Sequence, residues 1–167
     1  MPTVGAKTDD PEAEAQELLH TVWGGPRLPV DPIYIAQRLG VQTFKAGLDR
    51  GISGMLVKRP GQDPVIYLNS SDSISRQRFT CAHELGHYVK RIAAGEEDWE
   101  HIDHRDALSA SGTDQDEIFA NRFAASLLMP RDEVKRLKRQ YGPAALAYEF
   151  GVSEDAMSFR LANLNLA

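Results

Sequence analysis

Residues 73–95 read SISRQRFTCAHELGHYVKRIAAG, and the periodicity of this stretch sets the frame for the whole chain. Ser73 or Ser75 supplies a capping hydroxyl, and Phe79, Ala82, Leu85, Gly86 and Val89 recur at helical spacing. Gly95 closes a helix of several turns. Inside it lie His83, Glu84 and His87. Residues four apart on an α-helix stand one turn above each other on nearly the same face, so both imidazoles reach a single ion from one rigid base. Glu84 lies about 100° round from His83 by the 3.6-residue repeat, beside such an ion without ligating it, where it can hold an attacking water.

Upstream of that helix, VQTFKA (41–46), GISGMLVKR (51–59) and PVIYLN (64–69) carry β-branched or alternating apolar residues, with RPGQDP (59–64) as a turn. These three are expected to form a small antiparallel sheet. PEAEAQELLHTVW (11–23) reads as an amphipathic helix ended by Gly24 and Gly25. A second helix has Asp31 as N-cap and Pro32 at its first position, turns Ile33, Ile35, Ala36 and Leu39 inward, and stops at Gly40. Residues 95–112 are polar and acidic and read as a loop. Thr113 with Asp116 resembles a capping box opening a helix through DEIFANRFAASLLM (116–129), lined on one side by Phe119, Phe123 and Leu127 and ended by Pro130. DEVKRLKRQY, PAALAYEF and EDAMSFRLANL, the last capped by Ser153, read as three further helices. The order of helices, strands and helices is that of an α+β fold. Residues 1–10 are expected to be a disordered tail and 11–167 one domain, of which 131–167 are helical and end in a helix-turn-helix shape.

The 167 residues carry 19 Lys+Arg against 24 Asp+Glu, a formal net charge of −5, which argues against general nucleic-acid binding by phosphate attraction. The last helix offers only Arg160 beside Glu154 and Asp155, which argues against DNA readout. One cysteine, Cys81, a polar N-terminus and no apolar run of membrane-spanning length lead to the expectation of a reducing, cytoplasmic location without membrane attachment.

A catalytic zinc keeps three protein ligands and one open position, so His83 and His87 need a third partner. His101, His104, Asp114, Asp116 and Glu117 are the candidates. His101 and His104 have ligand-like spacing but sit in the acidic segment, and are expected to be solvated. Glu117 is better placed, in the first turn of a capped helix, with Asn121 one turn later able to hold an imidazole N–H.

RQRFTCAHELGHYVKR and EIFANRFAASLLMP resemble the ImmA/IrrE-type metallopeptidases, and VDPIYIAQRLG, SGMLV, VIYLNSS and LAYEFGVSEDAMSFRLANL extend the resemblance from about residue 15 to the end. It implies a zincin-like fold and one Zn2+ per chain held by His83, His87 and Glu117, with Asn121 behind them and Glu84 as general base. It also implies limited cleavage of a helix-turn-helix transcriptional repressor that releases stress-response or mobile-element genes. The alternative is a non-catalytic regulator or antirepressor that binds a repressor or DNA through its C-terminal helices. By analogy with zincin-like folds, an edge strand holds the substrate extended, and Gly54, Met55 and Leu56 are the candidate for it. Tyr88, Arg122 and Tyr141 are candidates to stabilise the oxyanion. Cys81, Met55 and Met129 read as core residues, and KRLKRQ as a solvated helix face.

Overall fold

A computed structural model describes residues 7–104 and 114–167. Helix α1 (Pro11–Leu18) starts at Asp10, whose carboxylate accepts the Glu12 N–H at 2.9 Å, and widens into a π-helical turn (Leu19–Trp23) before Gly24 ends it at φ +79°. The first six residues of the expected disordered tail lie outside the described residues; Lys7 and Thr8 donate their backbone N–H groups to Glu14 Oε1, each at 2.7 Å. Helix α2 (Pro32–Arg38) begins as the sequence indicates, with Asp31 accepting from Ile33 and Tyr34.

Strands β1 (Gln42–Ala46), β2 (Ile52–Lys58), β3 (Val65–Asn69) and β4 (Trp99–His104) form one sheet in the order β1-β3-β2-β4. Two expectations are corrected here. The sheet is mixed, because β1 runs parallel to β3 while β2 is antiparallel to both β3 and β4. Residues 99–104, expected to lie in a loop, are a strand. Its polar composition hid an alternation in which Trp99 and Asp103 are buried, His101 is mostly buried, and Glu100, Ile102 and His104 are exposed.

Helix α3 (Ile74–Ala93), capped by Ser73, crosses the sheet, and α4 (Gln115–Leu128) packs on α3. Leu56, Ile66 and Leu68 from the sheet meet Cys81, Leu85, Phe123 and Leu127 in a core where each is fully buried. Burying a side chain of the larger kinds stabilises the fold by about 1.5–3 kcal/mol. Thr113 lies outside the described residues; α4 takes its cap from Asp114, which accepts the Asp116 N–H at 2.9 Å. Helices α5 (Arg131–Leu137), α6 (Pro143–Phe150) and α7 (Glu154–Asn163) follow, with Gly151 at φ +65° turning α6 into the Ser153 cap of α7. Two arginines, the half-buried Arg78 and the buried Arg160, bind this tail to the rest. Arg78 on α3 donates to the carbonyls of Gly151 at 2.9 Å and Val30 at 2.6 Å. Arg160 on α7 donates to Met129 O at 3.0 Å and forms a fork with Glu12 at 2.8 and 3.0 Å, while Ser126 also donates to Glu12.

Candidate metal centre

The close approach of α3 and α4 brings the site together. A Cβ built on Gly86 would lie 2.9 Å from Ala120 Cα and 3.1 Å from Phe123 Cδ1, so only glycine lets the helices come this near. One turn before Ala120, Glu117 reaches across to the two histidines of α3. Its Oε1 is 2.9 Å from His87 Nε2, and its Oε2 is 3.3 Å from His83 Nε2. The two Nε2 atoms are 3.1 Å apart. Asn121 Oδ1 lies 2.8 Å from His83 Nδ1, and accepting a hydrogen bond there fixes the tautomer whose Nε2 lone pair faces the cluster.

This donor set fits a divalent cation. Ligand atoms about 2.0–2.1 Å from a tetrahedral zinc lie about 3.3 Å from one another, and the three separations among His83, His87 and Glu117 run from 2.9 Å up to that edge. Asp114 and Asp116, the other carboxylate candidates, are exposed on the first turn of α4. His104 is exposed as well. The histidine expected to be solvated that is not is His101, whose side chain is 16% exposed. Its Nε2 is 2.7 Å from Glu117 Oε1, its Nδ1 is 3.0 Å from both oxygens of Glu84, and its ring stacks on His87 at 3.9 Å between centroids. The ligand atoms of His83, His87, His101 and Glu117 all lie within 4.8 Å of one another. The i, i+2 alternation of Trp99, His101 and Asp103 is the signal that could have found it.

Glu84 is fully buried, as are His83 and Asp103 to within a few per cent. Burial pushes the Asp103 carboxyl up to about 6, against the pull of His83. Glu117 is held far below the usual carboxylate range by hydrogen bonds from His101, His83 and His87. For His101, burial opposes the charged form, but the hydrogen bonds to Glu117 and Glu84 outweigh it and raise the pKa to about 10. His83 is also raised, burial again being overcome by Glu117 and Glu84, whereas burial dominates at His87 and lowers it. Such pairing of carboxylates with imidazoles in a protected site is what a bound cation would exploit.

The remaining candidates fall elsewhere. Gly54, Met55 and Leu56 do not form a free edge, since β2 is hydrogen-bonded on both sides; Gly54 is required because a Cβ there would lie 2.5 Å from Thr80 Cγ2 and 2.9 Å from Tyr67 O, under α3. Tyr88 is buried, while Arg122 and Tyr141 are exposed. Burial pushes the Cys81 thiol well up, so it packs as an apolar group. Met129 is buried and Met55 half-buried. Arg160 is spent on Glu12 and Met129, which leaves α7 without an exposed basic side chain.

The family model of Peptidase_M78, the IrrE N-terminal-like domain, matches residues 36–162, a span that contains α3, α4 and every residue of the cluster. The chain belongs to this family. A curated relative, the radiation response metalloprotease IrrE of Deinococcus radiodurans, is 37% identical over 84 residues, which is 50% of this chain and 24% of that protein. Among solved structures, a Mycobacterium tuberculosis transcriptional regulator superposes with a TM-score of 0.61 at 17% identity, over 91% of this chain and 46% of that one, a likeness of fold. The chain thus spans about a quarter of the curated relative and under half of the solved one. Among the described residues, no helix is long and apolar enough to cross a membrane.

Proposed function

We propose that this IrrE-like domain is a cytoplasmic, zinc-dependent endopeptidase that makes limited cuts in a helix-turn-helix repressor, relieving repression of stress-response or mobile-element genes. The observation that carries the reading is the convergence of His83, His87 and Glu117 beside the buried Glu84. A zinc ion held by those three side chains would lower the pKa of water toward neutrality and polarise a peptide carbonyl. Glu84 takes a proton from the attacking water and delivers it to the leaving amine as the C–N bond breaks. Asn121 keeps the His83 ring in its ligating tautomer through this exchange.

Restriction to one folded substrate fits a peptidase that shares its compartment with the cell's own proteins. The C-terminal helices offer a surface for that restriction. A cleft of about 760 Å³ runs from Asn121 and Arg122 past Phe79 to Phe159 and Asn163 on α7, with Asn121 common to cleft and cluster. Phe159 is 72% exposed there, an apolar anchor for a partner.

The test is incubation of zinc-loaded protein with helix-turn-helix repressors from its genetic neighbourhood and with denatured casein, read by mass spectrometry. A single cut in a repressor is expected, and Glu84→Gln should keep the metal while losing about 10²–10⁴ in rate. Rapid casein digestion with every repressor intact would contradict the substrate, and undiminished cleavage by Glu84→Gln would contradict the mechanism.

A further inference from the structure

Strand β4 lies where a substrate would be expected. In strand-addition recognition, an extended peptide pairs antiparallel with the exposed edge of a sheet beside the reacting groups. Here the strand below α3 is β2, and its outer edge is already taken by residues of the same chain. Val57 is opposite Glu100, Leu56 opposite His101 and Met55 opposite Ile102, all antiparallel, with a register irregularity only at Ile52/Gly54. The inward side chain at the centre of this added strand, His101, stands between the proposed general base and the proposed carboxylate ligand, 3.0 Å from Glu84 and 2.7 Å from Glu117. An attacking water and a substrate carbonyl must use that same space.

The ligand arithmetic points the same way. A catalytic site offers three protein ligands and keeps a fourth position open, whereas a site with four is closed. His101 brings a fourth ligand atom within 4.8 Å of the other three. With its Nδ1–H donating to Glu84, His101 would exchange the Nε2 contact to Glu117 Oε1, 2.7 Å, for a bound ion, so that one imidazole would take the open position while engaging the base.

We propose that β4 is a built-in stand-in for substrate, with His101 closing the metal site as a fourth protein ligand until an incoming peptide strand displaces residues 99–104. This rests on the metal-site reading given above. The attachment of β4 is suited to displacement. Among the described residues it is an edge strand held by one ladder. Its outer face is fastened at the surface, where Arg59, 42% exposed, pairs with Asp98 at 3.1 Å and Glu100 at 2.9 Å, while its inner face carries the buried Trp99 and Asp103 and the His101 contacts that an incoming strand would have to replace. Exposed pairs of this kind contribute little. Trp99 anchors the start of the strand, its Nε1 donating to Glu96 O at 3.1 Å. Binding at a site that is competent only while the strand is away is weakened by the competent fraction, so a strand docked in ~90–99% of molecules weakens an added ligand about 10- to 100-fold.

The experiment uses cobalt-substituted full chain, whose visible absorption reports the coordination sphere independently of catalysis, titrated with acetohydroxamate as an outside ligand. Wild type and His101→Ala are compared, together with a Val57→Cys/Glu100→Cys variant in which a disulfide between paired positions holds β4 on β2. The expected result is a changed cobalt spectrum and about 10- to 100-fold tighter hydroxamate binding in His101→Ala. The oxidised tether should resist hydroxamate and regain the wild-type response on reduction. Identical spectra and identical hydroxamate affinities in wild type and His101→Ala would overturn the inference while leaving the metal site standing, as would an oxidised tether that binds hydroxamate as wild type does. A wild-type protein that takes up no cobalt would overturn the metal-site reading itself.

Discussion

Replacing Gly86 with alanine would put a methyl group into the tightest contact between α3 and α4. The new carbon would lie 2.9 Å from Ala120 Cα, 3.1 Å from Phe123 Cδ1 and 3.3 Å from Ala120 O, whereas carbon atoms rest about 3.5–4.0 Å apart. Phe123 is fully buried and the Ala120 backbone cannot yield on its own, so α4 must retreat by roughly 0.6–1 Å. Overpacking of this kind costs about 1–3 kcal/mol, offset by about 1 kcal/mol from replacing a helical glycine. A net loss of up to about 2 kcal/mol should lower the Tm by up to about 8 °C for a chain of this size. Glu117 moves with Ala120, and its spans to His87 and His83, 2.9 and 3.3 Å, open by more than the ±0.2 Å or so that a ligand distance tolerates. Metal affinity should fall by about 10- to 100-fold, the range seen when the support of a ligand is lost. Denaturation of the metal-free protein and competition with a chromophoric chelator measure the two effects separately. A variant that gains stability, as helix propensity alone would give, and keeps its metal affinity would refute the packing argument.

Asn121→Ala should leave the fold intact and weaken metal binding about 10- to 100-fold by freeing the His83 ring, measured by the same chelator competition. Arg160→Met should cost about 2–4 kcal/mol in urea denaturation at neutral pH, because it strips Glu12 and Met129 O of a buried partner. Although burial alone would raise it, the Glu12 pKa is lowered by its bonds to Arg160 and Ser126. A depressed carboxylate stabilises above its unfolded value and loses that contribution as pH falls through the folded value. The gap between wild type and Arg160→Met should therefore hold from pH 7 to about 5 and shrink below about 4.3.

Local chemistry explains what was legible in the sequence. Asp31–Pro32, Ser73 and Ser153 act within a turn of themselves, so the starts of α2, α3 and α7 follow from neighbours in the chain. The placing of His83 and His87 on one helical face, and of Glu117 with Asn121 on another, needs only the 3.6-residue repeat, and the structure brings those two faces together. Strand partners are a different matter. Nothing in QTFKA states that it pairs parallel with β3 rather than antiparallel with β2, because that choice is made by distant contacts. β4 escaped notice because its inward positions carry His101 and Asp103 in place of apolar residues, and the polarity that makes the segment read as a loop is the polarity of the site it faces.

Elemental analysis of the purified chain after zinc loading and gel filtration, beside a His83→Ala/His87→Ala double variant and Glu117→Ala, tests the central claim most directly. The account predicts about one zinc per wild-type chain, none in the double variant and a large loss in Glu117→Ala. A wild type that retains no metal, or a double variant that retains a full equivalent, would contradict it.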